Sequence, residues 1–135
     1  MKRIKTYIIL ALVLAMLCSV GVAMADYEST LHTNYAGYSV DLRNYNSNDR
    51  KSCGASTTSG NSNYAVSVSL TYYYSDAELG KVVINGYGNG GTGSTGVNGP
   101  NLGLYKYYIK VESHHVVTCP GYSYSYIDDL TTLAP

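Results

Sequence analysis

The chain has 135 residues, with nine basic and nine acidic side chains, sixteen tyrosines, and neither tryptophan nor phenylalanine. This length suits a single domain, and the balanced, low charge disfavours a nucleic-acid-binding protein, whose surface would be strongly basic. Two features argue against a disordered chain: its charge is low, and its tyrosine rings supply the apolar area that the few leucines, isoleucines and valines do not.

The first 25 residues have the pattern of a secretory signal peptide. A basic region at residues 2–5 precedes an apolar region at residues 8–17, and Ala23-Met24-Ala25 places small residues where signal peptidase cuts. Cleavage after Ala25 predicts a secreted, extracellular mature protein, residues 26–135, with no membrane attachment. An uncleaved membrane anchor is the alternative, because the apolar stretch approaches spanning length. All nine acidic residues but only six basic ones follow residue 25, and the resulting net charge of −3 disfavours nucleic acid and anionic membranes as partners.

Alternation of apolar and polar residues with a period of two predicts strands along the mature chain. The predicted strands lie, in chain order, at residues 27–31, 38–42, 64–74, 81–85, 104–119 and 122–127. In the clearest of them, Tyr64 to Tyr74, even-numbered residues form a buried face and odd-numbered residues a solvent face. Residues 46–63 are a predicted loop, residues 85–100 a predicted glycine-rich loop or hairpin, and residues 128–135 a predicted frayed tail.

Several strands separated by turn residues, without helical periodicity, predict one all-β domain built as an antiparallel β-sandwich, with a small β-barrel as the alternative. Cys53 and Cys119 are the only cysteines after residue 25, and we expect them to form one disulfide. Their spacing is similar to that in an immunoglobulin domain. The chain has no tryptophan, however, and Val117 stands where the tyrosine of such a domain would be, so the likeness is one of architecture only.

The glycine-rich stretch contains two apparent ligand motifs. Gly88, Gly90 and Gly93 have the spacing of a dinucleotide-binding loop, but the residues that follow include two glycines and a proline and cannot open the helix that such a site needs. Residues 90–98 nearly match one calcium-binding repeat, but Thr95 occupies the position of the aspartate ligand and a single copy cannot stack. We therefore expect no cofactor and no metal here.

His114 and His115 are adjacent in the predicted strand 104–119. Adjacent strand residues face opposite sides of a sheet, so the two are not expected to bind one metal ion; His115 should face the core and His114 the solvent. Acidic pairs at 76/78 and 128/129 fall in a turn and in the tail, and no nucleophile motif accompanies them. The sequence therefore favours a protein that is not an enzyme.

Tyrosines remain as candidate functional residues. The predicted alternation exposes Tyr73 and Tyr108, flanked by Lys106 and Lys110, as a possible binding surface, because exposed rings with hydroxyl tips suit contact with proteins or sugars. Cross-strand pairing that only stiffens the sheet is the alternative. We expect a secreted, non-enzymatic β-sandwich that binds a protein or polysaccharide at a cell surface or envelope. A secreted antimicrobial or toxin-like polypeptide is the second hypothesis.

Overall fold

The computed structural model describes residues 26–134, which confirm the all-β prediction. The strands are β1 (Tyr27–Tyr35), β2 (Tyr38–Asn46), β3 (Cys53–Ser59), β4 (Ala65–Asp76), β5 (Lys81–Thr92), β6 (Ser94–Asn98), β7 (Lys106–Thr118) and β8 (Tyr126–Leu133). Within this described part there is no helix of the length and hydropathy that crossing a membrane requires. The predicted signal peptide, residues 1–25, lies outside the described residues.

The strands form two antiparallel four-stranded sheets. The first sheet has the order β1-β2-β3-β6 and the second sheet the order β5-β4-β7-β8. Buried residues from both sheets pack against one another, which makes the fold sandwich-like, and the two sheets are not closed into a barrel. In an immunoglobulin sheet the fifth and fourth strands follow the second. The likeness to that domain therefore extends to the layers and not to the strand order.

β4 follows the predicted alternation. Val66, Val68, Leu70 and Tyr72 are at most 3% exposed, whereas the odd-numbered residues between them are partly or fully exposed. The even-numbered side chains of β4 pack in clusters with buried residues of the first sheet, so they fill the space between the two sheets. Each such buried side chain stabilises the fold by about 1.5–3 kcal/mol.

A β-bulge reverses the alternation in the first residues of β7. Tyr73 lies opposite Lys110 whereas its successor lies opposite Tyr108, which leaves Ile109 as the extra residue. Beyond the bulge the odd-numbered residues are buried, as predicted. Before the bulge Tyr108 is fully buried and its neighbour Tyr107 is exposed. The prediction that Tyr108 is exposed is therefore wrong.

Three segments predicted as loop or tail contain strands. β3 lies within residues 46–63, β5 continues through the glycines to Thr92, and β8 occupies most of the predicted tail. Gly93, with φ of +72°, carries the chain from the second sheet to the first, and a Cβ there would lie 2.9 Å from the Ser62 backbone. Many residues of these three segments have low strand propensity, but pairing with neighbouring strands determines their structure.

The predicted disulfide is absent, because Cys53 and Cys119 are both buried free thiols. Cys53 packs against Tyr108, near the start of β7, whereas Cys119 directly follows Thr118 at its end. Ten strand residues separate those two positions and span about 33 Å at about 3.3 Å per residue, far beyond the ~7 Å between Cα atoms that a disulfide allows. Burial raises the pKa of the Cys53 thiol to about 11. The thiol therefore stays protonated at neutral pH.

Candidate functional site

The four residues of the predicted binding surface do not form one surface. Tyr108 lies in the core and donates a hydrogen bond from its hydroxyl to the Pro100 carbonyl at 2.6 Å. The Lys106 ammonium lies 3.4 Å from the Asp76 carboxylate, which is 2% exposed. Burial alone would raise the pKa of Asp76, but the Leu79 backbone N–H and Lys106 hold it below its usual value. Lys106 therefore balances a buried charge.

Tyr73 and Lys110 do lie together on the outer face of the second sheet, but Glu112 engages both. The Tyr73 hydroxyl donates to Glu112 at 2.7 Å. Lys110 Nζ lies 2.6 Å from the other Glu112 oxygen and 4.9 Å from the centroid of the Tyr73 ring. The hydrogen bonds from Lys110 and Tyr73 lower the pKa of Glu112. Since the polar groups of these three side chains already bond to one another, few of them are left to bind a ligand.

The adjacent histidines face opposite sides of β7, as predicted. His115 is fully buried, with Nδ1 2.8 Å from Thr57 Oγ1 and Nε2 2.7 Å from Ser113 Oγ. Burial lowers the pKa of His115 to about 4, so its ring is neutral at neutral pH. His114 is exposed, and its Nδ1 lies 2.6 Å from Asp129 Oδ1. Nowhere in residues 26–134 do three histidine, cysteine, aspartate or glutamate side chains come close enough to hold a metal ion.

One row of side chains across the second sheet has the composition of a hydrolase triad. Ser69 lies opposite His114, which lies opposite Asp129, and the row lines an open pocket of about 250 Å³. The contact between imidazole and carboxylate has the orientation of a triad. Among the described residues, however, Ser69 makes no hydrogen bond to His114, and the backbone N–H groups around it belong to the strand ladders. The row lacks both an activated nucleophile and donors for an oxyanion.

Three connections between strands meet at one end of the sandwich: residues 36–37, residues 60–64 and residues 119–125. Both residues of the first connection have positive φ, as the two-residue type I′ hairpin turn requires. The third opens with a type II turn, Cys119-Pro120-Gly121-Tyr122, in which the glycine has φ of +85° and a 3.2 Å hydrogen bond joins the first and last residues. The turns therefore have defined geometry rather than the freedom of glycine-rich loops.

Tyrosine rings join these connections into one cluster. The Tyr35 ring lies at the centre, with centroid distances between 5.8 and 6.3 Å to four other tyrosine rings. Tyr38 packs edge-on against Tyr64 at 5.5 Å. We call this cluster the tyrosine tip; it consists of Tyr35, Tyr38, Tyr64, Tyr122, Tyr124 and Tyr126. Edge-on aromatic pairs add about 0.5–1.5 kcal/mol each to the energy of their burial.

The tip combines a buried anchor with an exposed rim. Tyr35 and Tyr64 are each 5% exposed, whereas Tyr38, Tyr122 and Tyr124 are 45%, 50% and 65% exposed. The anchor hydroxyls bind backbone: Tyr35 donates to the carbonyl of residue 124, and Tyr64 donates to that of residue 36 at 3.0 Å. A hydrogen bond with the Cys119 thiol, together with burial, raises the pKa of Tyr64 to about 12. Tyr64 is thus neutral at neutral pH, and the Tyr35 ring contacts the rim rings Tyr122 and Tyr124.

Apart from the Asp128 carboxylate, to which the Tyr126 hydroxyl donates a hydrogen bond at 2.9 Å, the tip is built from uncharged residues. Its three connections contain no aspartate, glutamate, lysine, arginine or histidine and consist mainly of Tyr, Ser, Asn and Gly, whereas charged side chains occur in residues 47–52 and 76–81. Antigen-binding loops of antibodies have the same composition, because tyrosine supplies rigid amphipathic contact area and Ser, Asn and Gly supply adaptable hydrogen bonding. The tyrosine tip is therefore the candidate binding site.

Sequence reasoning missed this site. It assigned residues 122–127 to a strand and treated residues 46–63 as one loop, although a Pro-Gly turn before alternating Tyr and Ser, and tyrosines on both sides of Ala36-Gly37, were visible signals. That the three turns converge on Tyr35 follows from strand pairing, which the local pattern does not contain.

Comparison with protein-family models, curated proteins and solved structures finds no match to this chain. Its function has to be inferred from the geometry and chemistry of the tip.

Proposed function

We propose that the mature chain is a secreted, non-enzymatic binding protein whose tyrosine tip binds a neutral polysaccharide of a cell envelope. The observation that carries this proposal is the ring of exposed tyrosines, Tyr38, Tyr122 and Tyr124, held around the buried Tyr35 and Tyr64 by connections that carry no charged side chain.

The chemistry of this surface suits sugars. A pyranose ring has an apolar C–H face and a rim of hydroxyls, so an exposed phenol ring can stack on the face while hydroxyl and amide groups bind the rim. Serines at 123 and 125 and asparagines at 61 and 63 lie beside the rings in the same connections. Because contacts with Tyr35 already restrain Tyr122 and Tyr124, binding costs little side-chain entropy. An anionic polysaccharide finds no cationic side chain in these connections.

Isothermal titration of the mature protein against soluble neutral polysaccharides, with heparin and alginate as charged comparisons, tests the proposal. The double variant Tyr122→Ala/Tyr124→Ala should weaken binding of the neutral polymer by about tenfold or more, since two stacking contacts are lost. The matched control is Tyr105→Ala, which removes a tyrosine that is 58% exposed and lies in no part of the tip. Circular dichroism should show that both variants keep the fold.

Equal binding by the double variant and by the wild type would contradict the proposal, as would binding of the charged polymers alone. A growth-inhibition assay with the same protein addresses the second hypothesis. Inhibition without any polysaccharide binding would favour the toxin-like activity.

A further inference from the structure

The outer edge of β5 is a long strand edge with little charge. β5 pairs with β4 alone, and its first eight residues, KVVINGYG, carry one charge, on Lys81. Val82, Ile84 and Tyr87 are 53%, 58% and 52% exposed. An unpaired edge that is rich in β-branched residues and free of proline is a template for pairing with another strand.

The hydrogen-bond pattern shows which groups of β5 point outward. The Gly93 N–H donates to the Tyr64 carbonyl at 2.8 Å, and antiparallel pairs alternate between bonded and non-bonded types. The register with β4 therefore directs the N–H and C=O groups of the even-numbered residues away from β4. The Gly90 N–H agrees with this assignment, because it donates to the side chain of its neighbour Asn89 at 3.0 Å. Four residues keep outward groups for a new strand: Val82, Ile84, Gly86 and Gly88.

The other described sheet edges are protected. β1 carries Glu28 and His32, β8 carries Asp128 and Asp129, and β6 has five residues. Charged side chains and short length are both devices that prevent edge-to-edge pairing. The first eight residues of β5 form a longer edge, and their single charge, on Lys81, stands at the very start of the strand.

We propose that two copies of this protein pair through their β5 edges about a two-fold axis at Asn85, which joins the two second sheets into one eight-stranded sheet. In this register Val82 lies opposite the partner's Gly88, and Ile84 lies opposite the partner's Gly86. Each exposed aliphatic side chain then fills the space that a glycine leaves open on the same face. Lys81 lies opposite the partner's Asn89, so like charges do not meet.

Only this register satisfies all four outward residues. An axis at Ile84 would place Gly88 opposite the partner's Gly80, which lies beyond the strand in a turn with φ of +61°. An axis at Gly86 would place Val82 opposite the partner's Gly90, whose N–H is already bonded to Asn89. The axis at Asn85 leaves no outward group of these residues without a partner. The occupant of the edge is thus a second copy of the same strand.

Analytical ultracentrifugation of the mature protein at micromolar concentrations tests the proposal, with a dimer as the expected species. Ile84→Pro should weaken dimerisation by about tenfold or more, because it removes two symmetry-related N–H donors from the interface. The same substitution spares the ladder with β4, since that N–H points outward. The matched control Ile84→Val should dimerise like the wild type, and thermal unfolding should show that both variants fold.

A cysteine at the proposed axis tests the register. Asn85→Cys should form an inter-chain disulfide under mild oxidation, because a non-bonded antiparallel pair brings its Cα atoms to about 4.5 Å. Thr131→Cys, at an exposed position on β8, should stay unlinked. A monomer at all concentrations, a polymer, or a dimer that Ile84→Pro leaves intact would overturn the proposal. Linkage through residue 131 and not through residue 85 would overturn it as well.

Discussion

Tyr108 and Tyr73 are a pair of tyrosines on neighbouring strands for which the structure gives opposite roles. Tyr108 is fully buried, packs edge-on against Tyr72 at 5.4 Å and bonds the Pro100 carbonyl. Tyr73 lies on the outer face, where Glu112 holds its hydroxyl. Replacement of each by alanine should therefore have very different effects on the free energy of unfolding.

Magnitudes follow from these environments. A buried aromatic ring removes about 150–250 Å² from water, worth about 4–6 kcal/mol at ~25 cal/mol per Å². Measured truncations of buried aromatic rings give about 3–5 kcal/mol, and we expect that range for Tyr108→Ala. Tyr73→Ala removes a partly exposed ring and one surface hydrogen bond and should cost under about 1 kcal/mol. Tyr108→Phe, which keeps the ring, should cost about 0.5–1.5 kcal/mol.

Urea unfolding of the three variants, followed by circular dichroism, measures these values directly. Equal destabilisation by Tyr108→Ala and Tyr73→Ala would refute the placement of the bulge at Ile109, since the bulge alone turns Tyr108 inward. A larger loss in the free energy of unfolding for Tyr73→Ala than for Tyr108→Ala would instead support the uninterrupted alternation that the sequence predicts.

Two further predictions concern titratable groups. Burial lowers the pKa of His115 in the folded state from 6.5 to about 4, so below pH 6.5 the unfolded chain binds a proton that the folded chain does not. The free energy of unfolding should therefore be constant with respect to this group above pH 6.5 and should fall by up to about 3 kcal/mol as the pH drops toward 4. Urea midpoints at pH 7 and pH 4.5 should differ more for the wild type than for His115→Gln, and an equal difference would contradict this prediction. Thiol titration of the unfolded, non-reduced mature protein, residues 26–135, should find two free thiols per chain, from Cys53 and Cys119. The absence of free thiols would show that the positions of the two cysteines at opposite ends of the sandwich are wrong.

The parts of the fold that the sequence predicted correctly are those with strong local alternation. β4 has an apolar residue at nearly every second position, so its faces could be assigned, and the same alternation beyond the bulge assigned the two histidines. β3 and β5 could not be found this way, because Ser, Thr and Gly side chains give no apolar period and these strands exist through pairing with β2 and β4.

The errors at the site have a common physical origin. One inserted residue, Ile109, exchanges the faces of Tyr107 and Tyr108. The alternation of apolar and polar residues in the sequence does not predict where such a bulge occurs. The prediction of a disulfide between the two cysteines was wrong for a related reason, because the number of residues between them does not determine which end of the sandwich each one occupies. The tyrosine tip depends on three turns that are distant in sequence, so its residues could be noticed individually but not assembled.

The two proposals, taken together, determine how the protein would engage a polymer. Gly93 adjoins the tyrosine tip, since its N–H bonds to Tyr64, and it lies eight residues from the proposed axis at Asn85. That is about 26 Å of strand on each side, so the two-fold axis places the tips about 50 Å apart at opposite ends of the dimer. Tips that face away from each other cannot both bind one short stretch of polysaccharide, and avidity on a flat surface is lost.

Such a dimer should instead bridge separate polymer chains. With a neutral polysaccharide that the protein binds, the wild type should cross-link the polymer and raise its light scattering, with a maximum near equal numbers of tips and sites. Ile84→Pro should bind the same polymer with unchanged affinity per tip and without cross-linking, because the tip is intact and only the edge is blocked. Cross-linking by both proteins would show that the bridging contact lies elsewhere than β5, and loss of binding by Ile84→Pro would show that edge and tip are not independent.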